Sequence, residues 1–334
     1  MPIKSYKEAI NEAIAQEMKK DENVILIGED VAGGAGTNGE QDAWGGVMGV
    51  TKGLLGQFGR ERIIDTPITE TAILGMASGA ALTGLRPIAE LMFVDFMGVC
   101  FDQILNQTAK FRYMFGGKAI TPLTIRTMYG GGVRAASQHS QCLYPIFTHV
   151  PGIKVVIPSG PYEAKGLLIK SIRDNDPVIF LEHKAMYDVT EDVPDESYTI
   201  PFGEANFTRE GKDITLIGMG KTVSLCNNAA DLLKKDGVHA TVLDLRTLSP
   251  LDEDSILESV EETGRAIIVD ESSPRCNIAT DISALICDKS FSYLKAPIKM
   301  ISPPHTPVPF SPALEDIYMP DEQAIISTAK KILN

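Results

Sequence analysis

Residues 62–84 read RIIDTPITETAILGMASGAALTG, and the order of residue types in this stretch decides the fold class. A short strand-like run, Arg62-Ile63-Ile64-Asp65, meets Thr66-Pro67, which interrupts it. Thr69–Thr83 then follows with apolar residues at helical spacing. The same order of strand, turn and helix recurs along the chain. Val24–Gly28, Leu123–Thr127, Lys154–Pro158 and Val178–Leu181 read as strands buried on both faces, with helices at Val99–Phe115 and Pro161–Arg173. This alternation predicts a mainly parallel sheet flanked by helices.

From Ala185 to Lys212 the pattern lapses. Asp188, Glu191, Asp192, Asp195 and Glu196 crowd there with Pro194 and Pro201, and the stretch reads as a linker. A second alternating unit follows, with strands at Asp213–Gly218, His239–Leu243, Arg265–Asp270 and Ile298–Ile301. Its helices fall near Thr222–Lys235, Asp252–Glu262 and Asn277–Lys289, and Asp321–Leu333 reads as a last helix. The expected organisation is two α/β domains, residues 1–190 and 213–334, joined by 191–212.

Apolar residues at 44% and charged residues at 22% suit a globular enzyme rather than a disordered chain. A net charge of −13 with no basic stripe would repel a phosphate backbone, so no nucleic-acid partner is expected. The chain opens on an amphipathic helix, with Ser5 and Glu8 in capping-box spacing and Ile10, Ala13, Ile14 and Met18 on one face. That opening does not resemble a leader, and no apolar run is long enough to span a membrane. A cytoplasmic protein without membrane attachment is expected. The five cysteines form no C-x-x-C pair and read as small hydrophobes rather than a disulfide framework.

In open α/β sheets ligands gather at the carboxyl ends of the strands. That rule singles out Glu29, just after Val24–Gly28, and Glu70, where a helix begins after Arg62–Asp65. It also singles out Gln138-His139-Ser140, beyond the Gly130-Gly131-Gly132 loop. Each has a plainer reading: Glu70 as a carboxylate favoured by a helix N-terminus, Glu29 as a solvated loop acid, His139 as a structural histidine. The glycine triplet lacks G-x-G-x-x-G spacing, and Gly33-Gly34-Ala35-Gly36 lacks the Lys-Ser/Thr of a P-loop. His149, His183, His239 and His305 have no metal-ligand spacing. The helix after Glu70 is dense in small residues, and each interior glycine costs about 1 kcal/mol against alanine. Close packing on another helix, within the chain or across a subunit interface, would offset that cost. The residues alone give acid/base candidates but name no reaction.

Together these stretches resemble the beta subunits of the pyruvate, branched-chain 2-oxo acid and acetoin dehydrogenase complexes. The resemblance runs through Val24–Glu29, Arg62–Glu70, Gly84–Glu90, Gln138–Gln141, Pro151–Val156 and Asp244–Pro250, covering essentially the whole chain. It implies a transketolase-like fold and a heterotetramer of two alpha and two beta chains, with thiamine diphosphate held between chains. The alpha subunit of that family grips the diphosphate and Mg2+ through a Gly-Asp-Gly motif, which this sequence lacks. Matched residue by residue, Glu70 stands where the family has the carboxylate that bonds the pyrimidine N1′ and sets up proton removal from the thiazolium. Phe96 matches the aromatic against the aminopyrimidine, Glu29 a second site carboxylate and Ile68 an apolar contact. His139 matches the histidine facing the reaction centre and the incoming lipoyl group.

The resemblance also implies a structural K+ site at Leu123, Ser171, Ile172, Asp174 and Asp176, with Asp176 standing where pyruvate-type relatives have asparagine. The acetoin branch is resembled in particular, through Asp42–Val47, Phe111–Lys118 and Pro304–Phe310. The implied activity is cleavage of acetoin to acetaldehyde and a two-carbon fragment passed to the lipoyl group of an acyltransferase component. A pyruvate or branched-chain 2-oxo acid dehydrogenase beta chain would share the same site residues. A non-catalytic scaffold of the same fold would have no need of Glu29, Glu70, Phe96 and His139 together.

Overall fold

The computed structural model describes residues 2–32 and 45–333. Gly33–Gly36 and the acetoin-like Asp42-Ala43-Trp44 lie outside the described residues. The chain divides into two compact units. The first comprises Met1–Tyr129, Ile146–Val156 and Gly160–Pro201, and the second Gly130–Pro145, Ile157–Ser159 and Phe202–Asn334.

In the first unit the strands are β1 (Val24–Glu29), β2 (Ile63–Thr66), β3 (Arg86–Phe93), β4 (Thr124–Tyr129), β5 (Lys154–Val156) and β6 (Val178–His183). They lie in the order β5-β6-β4-β3-β1-β2, all parallel. Every residue of β4 and β6 is buried, as continuous apolar runs require in a sheet covered on both faces. Three principal helices are α1 (Tyr6–Lys20), α2 (Glu70–Leu82) and α3 (Pro161–Arg173). The Ser5 capping box forms as expected: Ser5 Oγ accepts from the Glu8 amide at 3.3 Å, and the Ser5 amide donates to Glu8 Oε2 at 2.7 Å. Packing of α1 against α3 is pinned by the Arg173 guanidinium on both Glu17 oxygens, at 2.8 and 2.6 Å.

Two expectations change. Val99–Phe115 is not one helix: Met97–Asp102 passes into a wide turn of π type at Gln103–Thr108, and a short helix resumes at Phe111–Met114. The Ala109 amide reaches back five residues to the Ile104 carbonyl at 3.1 Å. A backbone from far along the chain presses there as well. A Cβ at Gly152 would lie 2.1 Å from the Ala109 oxygen, so only glycine fits. The acidic stretch after Ala185 also carries two strands. Thr190–Asp192 pairs antiparallel with Ile3–Ser5, and Asn206–Arg209 joins the second sheet. Thr190–Asp192 is exposed throughout, so no hydrophobic period announces it.

The second unit holds β7 (Asn206–Arg209), β8 (Ile214–Gly218), β9 (Ala240–Asp244), β10 (Ala266–Val269) and β11 (Lys299–Ile301) in the order β11-β10-β8-β9-β7. Only the edge strand β7 is antiparallel. On one face α4 (Thr222–Lys235) packs with a final helix, Glu322–Leu333, enclosing Leu216, Cys226, Leu233, Val242, Ile267 and Ile325. Pro312–Tyr318, here α5, is a short helix that the sequence reading did not anticipate. All five cysteines are free. Cys100 and Cys226 are buried, but Cys276 and Cys287 are exposed, so the small-hydrophobe reading fails for those two.

Candidate active site

Three neighbouring strands of the first sheet end at one edge and deliver the candidate groups there. Glu29 closes β1 and lies in register with Thr66, the last residue of β2. Pro67 ends β2, and Glu70 opens α2, where the first amides lack partners and favour a carboxylate. β3 runs into a tight turn, Val94–Phe96, which sets the Phe96 ring edge-on to Phe93 at 5.5 Å and 72°. Thr71 Oγ1 donates to the Val99 carbonyl at 2.7 Å, tying the first turn of α2 to the segment after Phe96. Ile68, between strand and helix, is 74% exposed and leaves an apolar surface beside Glu70.

The acids influence one another. Partial burial raises the Glu29 carboxyl above its ordinary range, and the negative charges of Asp30 and Glu70 push the same way. Glu90, on β3, is raised by burial, with Glu182 and Glu29 adding to the effect against the attraction of Arg126. Gly28 makes this closeness possible, since a Cβ there would lie 2.9 Å from the Glu90 Cβ. Glu90 faces Arg126 in register across β3 and β4. Arg126 bonds Glu90 at 2.8 Å and clasps Glu182 at 2.6 and 2.9 Å, while the Tyr187 hydroxyl donates to Glu182 at 2.7 Å. Sequence reasoning did not assign a role to Glu90, Arg126 or Glu182. The available signal was charge in the middle of otherwise apolar strands, which a buried position tolerates only when paired.

His139 lies on the segment that follows β4, within the second unit, whereas Glu29, Ile68, Glu70 and Phe96 all belong to the first. Its segment is anchored inside its own unit. The Tyr144 hydroxyl donates to the buried Asp270 at 2.5 Å, and the Gly130 amide closes the loop base on the Gln141 carbonyl at 3.3 Å.

Of the five positions matched to a potassium site, four have backbone carbonyls that each accept a hydrogen bond within the chain. The carbonyls of Ile172 and Asp174 accept from the Arg86 guanidinium at 2.9 and 2.7 Å. Those of Leu123 and Ser171 accept backbone amides of Val178 and Asp174. Lys154 pairs with the Asp174 and Asp176 carboxylates at 2.5 and 3.3 Å, and Arg112 pairs with Asp176 as well. Arg86, Lys154 and Arg112 thus lie among these positions together with the Asp174 and Asp176 carboxylates. Among the described residues no group of three or more His, Cys, Asp and Glu side chains could hold a metal ion.

The strand-end cluster does fit one end of thiamine diphosphate. Glu29 and Glu70 can exchange hydrogen bonds and a proton with a nitrogen heterocycle, and Ile68 and Phe96 offer it apolar contact. Asp65 Oδ2 and Thr66 Oγ1, both buried at this edge, find no hydrogen-bond partner among the described residues. Among the described residues of the cluster none is cationic, in keeping with the missing Gly-Asp-Gly.

A two-domain, mainly parallel architecture with acids at the strand ends defines a transketolase-like protein. The transketolase pyrimidine-binding domain matches residues 4–190, and the transketolase C-terminal domain matches 203–325. A chain of a split-gene transketolase, an inactive beta4 tetramer, superposes with a TM-score of 0.78 over 98% of both chains at 20% identity. Among curated proteins, the chain is 62% identical to the beta subunit of acetoin:2,6-dichlorophenolindophenol oxidoreductase of Cupriavidus necator, over 98% of this chain and 97% of that one. The Bacillus subtilis protein of the same name is 60% identical over the same shares. The pyruvate dehydrogenase E1 component subunit beta of Bacillus subtilis is 46% identical, again over 98% and 97%. The chain belongs to the thiamine-diphosphate-dependent oxidoreductase family that contains these beta subunits.

Proposed function

We propose that this chain is the pyrimidine-binding beta subunit of an acetoin-cleaving enzyme, completed by an alpha subunit in a two-alpha, two-beta assembly. The observation that carries the substrate assignment is the 62% identity, along nearly its whole length, to a beta subunit named for acetoin oxidation. Thiamine diphosphate, when bound, supplies the electron sink that lets a bond beside a carbonyl break. This chain supplies proton handling and placement. Glu70 holds a pyrimidine ring nitrogen and moves a proton there. Such positioned acid/base chemistry contributes roughly 10²–10⁴-fold. Glu29, raised by burial and by the negative charges of Asp30 and Glu70, holds its proton more firmly than an ordinary carboxyl. Phe96 and Ile68 would give the ring apolar contact.

Acetoin is a neutral hydroxyketone. Loss of its hydroxyl proton lets the carbon–carbon bond to the carbonyl carbon break and acetaldehyde depart. His139 is assigned as a proton acceptor for that hydroxyl and as the group facing the lipoyl arm of an acyltransferase, which oxidises and accepts the remaining two carbons. The alpha subunit holds the diphosphate and Mg2+. The α2 face bearing Ala72, Gly75, Met76 and Gly79 is exposed, and a Cβ at Gly79 would meet nothing within 4 Å. Ala77, Ser78 and Ala81 pack inside this chain, but Ala72 and Gly79 do not, which supports reading the exposed face as a subunit contact. The test is the ratio of kcat/KM for acetoin and pyruvate in the reconstituted assembly, with acetaldehyde measured. Preference for acetoin with acetaldehyde release is expected. Preference for pyruvate without it would transfer the chain to the pyruvate branch.

A further inference from the structure

The loop that carries His139 is held in an unfavourable backbone shape by one fully buried carboxylate. Arg134 and Ala136 adopt φ of 61° and 62°, a left-handed conformation that residues with a Cβ seldom take. Glu315, on α5, has no exposed surface. It accepts from the Gly132 amide at 2.8 Å, the Arg134 amide at 3.1 Å and the Arg134 guanidinium at 2.7 Å. Asp316 takes the other arm of that guanidinium at 2.5 Å. The next turn of chain closes on the loop too, since a Cβ at Gly131 would lie 2.7 Å from Met319 Sδ. The strained residues stand three to five positions before His139, whose amide bonds the Ala136 carbonyl at 3.4 Å.

We infer that Glu315, gripping Gly132 and Arg134, is a positioning residue that sets where His139 presents its ring. The inference rests on the role assigned to His139 above. A carboxylate buried with three donors is a stiff constraint, because each donor would be left unsatisfied if it let go. Strain of this kind persists only where the surroundings enforce it, and it gathers at functional segments. The clamp comes from α5, about 180 residues beyond the loop, so the second unit would tune the reaction without Glu315 touching substrate.

The test uses the reconstituted heterotetramer carrying Glu315→Gln, with Arg134→Gln as a milder variant that keeps both backbone bonds. Hydrogen exchange across residues 130–141 is expected to quicken in Glu315→Gln while the rest of the second unit is unchanged. Acyl transfer to a lipoyl acceptor should fall by roughly 10-fold to 10²-fold, the scale of a small misplacement of a reacting group. Dye reduction, which also requires acetoin cleavage, should fall by no more than acyl transfer does, and Arg134→Gln should show a smaller shift of the same sign. Added to His139→Ala, Glu315→Gln should cause no further loss, because residues acting through one another are not additive. Unchanged exchange in 130–141, or a loss of acyl transfer that adds to that of His139→Ala, would overturn the inference. If the unsubstituted assembly turned over neither acetoin nor pyruvate, the functional reading would fail, and the exchange result would still decide the clamp.

Discussion

Glu70→Gln keeps the size and reach of the side chain at the first turn of α2 while removing its capacity to give and take a proton. The expected result is an intact fold and assembly with hydrogen exchange at the reactive cofactor carbon slowed on the order of 10²-fold or more. Deuterium exchange at that carbon checks it, and no slowing would reduce Glu70 to a helix-terminus carboxylate. Glu29 makes a separate prediction through its raised carboxyl. A raised folded value means the proton is favoured in the folded chain, so its contribution to stability is complete below the ordinary value of 4.5 and fades as pH climbs through the folded value. Glu29→Gln should therefore leave the urea midpoint near pH 4 almost unchanged and raise it at neutral pH. Parallel pH profiles for the two chains would contradict this.

At the scale of elements, α2 is the most informative. Gly79→Leu should stabilise the isolated chain by about 0.5–1 kcal/mol, because helix propensity rises and nothing opposes the new side chain. The same substitution should block assembly with the alpha subunit, measured by sedimentation. Gain of stability with assembly retained would show that this face is not the contact. Elements whose cues are local were legible in the sequence. Thr222–Lys235 was found end to end from its apolar spacing, and the Ser5–Glu8 box marked the start of α1. What was missed depends on distant contacts. The break at Ala109 falls where Gly152 approaches closely, and β7 is a mostly polar edge strand paired with β9. Strand ends pointed to Glu29 and Glu70, but Glu315 carries no local cue at all, since its meaning comes from a loop brought to it by folding.

For the whole molecule the central claim is that half of a cofactor site resides here. Among the described residues the strand-end cluster offers carboxylates and apolar surface to a pyrimidine and no cation to a diphosphate. Affinity should therefore be weak for this chain alone and appear only when a second chain completes the site. Two half-sites each binding weakly, and tightly in combination, is the expected arithmetic when one ligand is shared. The most direct measurement is calorimetric titration of thiamine diphosphate with Mg2+ into the purified chain, repeated after addition of the alpha subunit. No resolvable heat from the chain alone and micromolar or tighter binding by the assembly is the predicted result. Micromolar binding by the chain without a partner would contradict the split site.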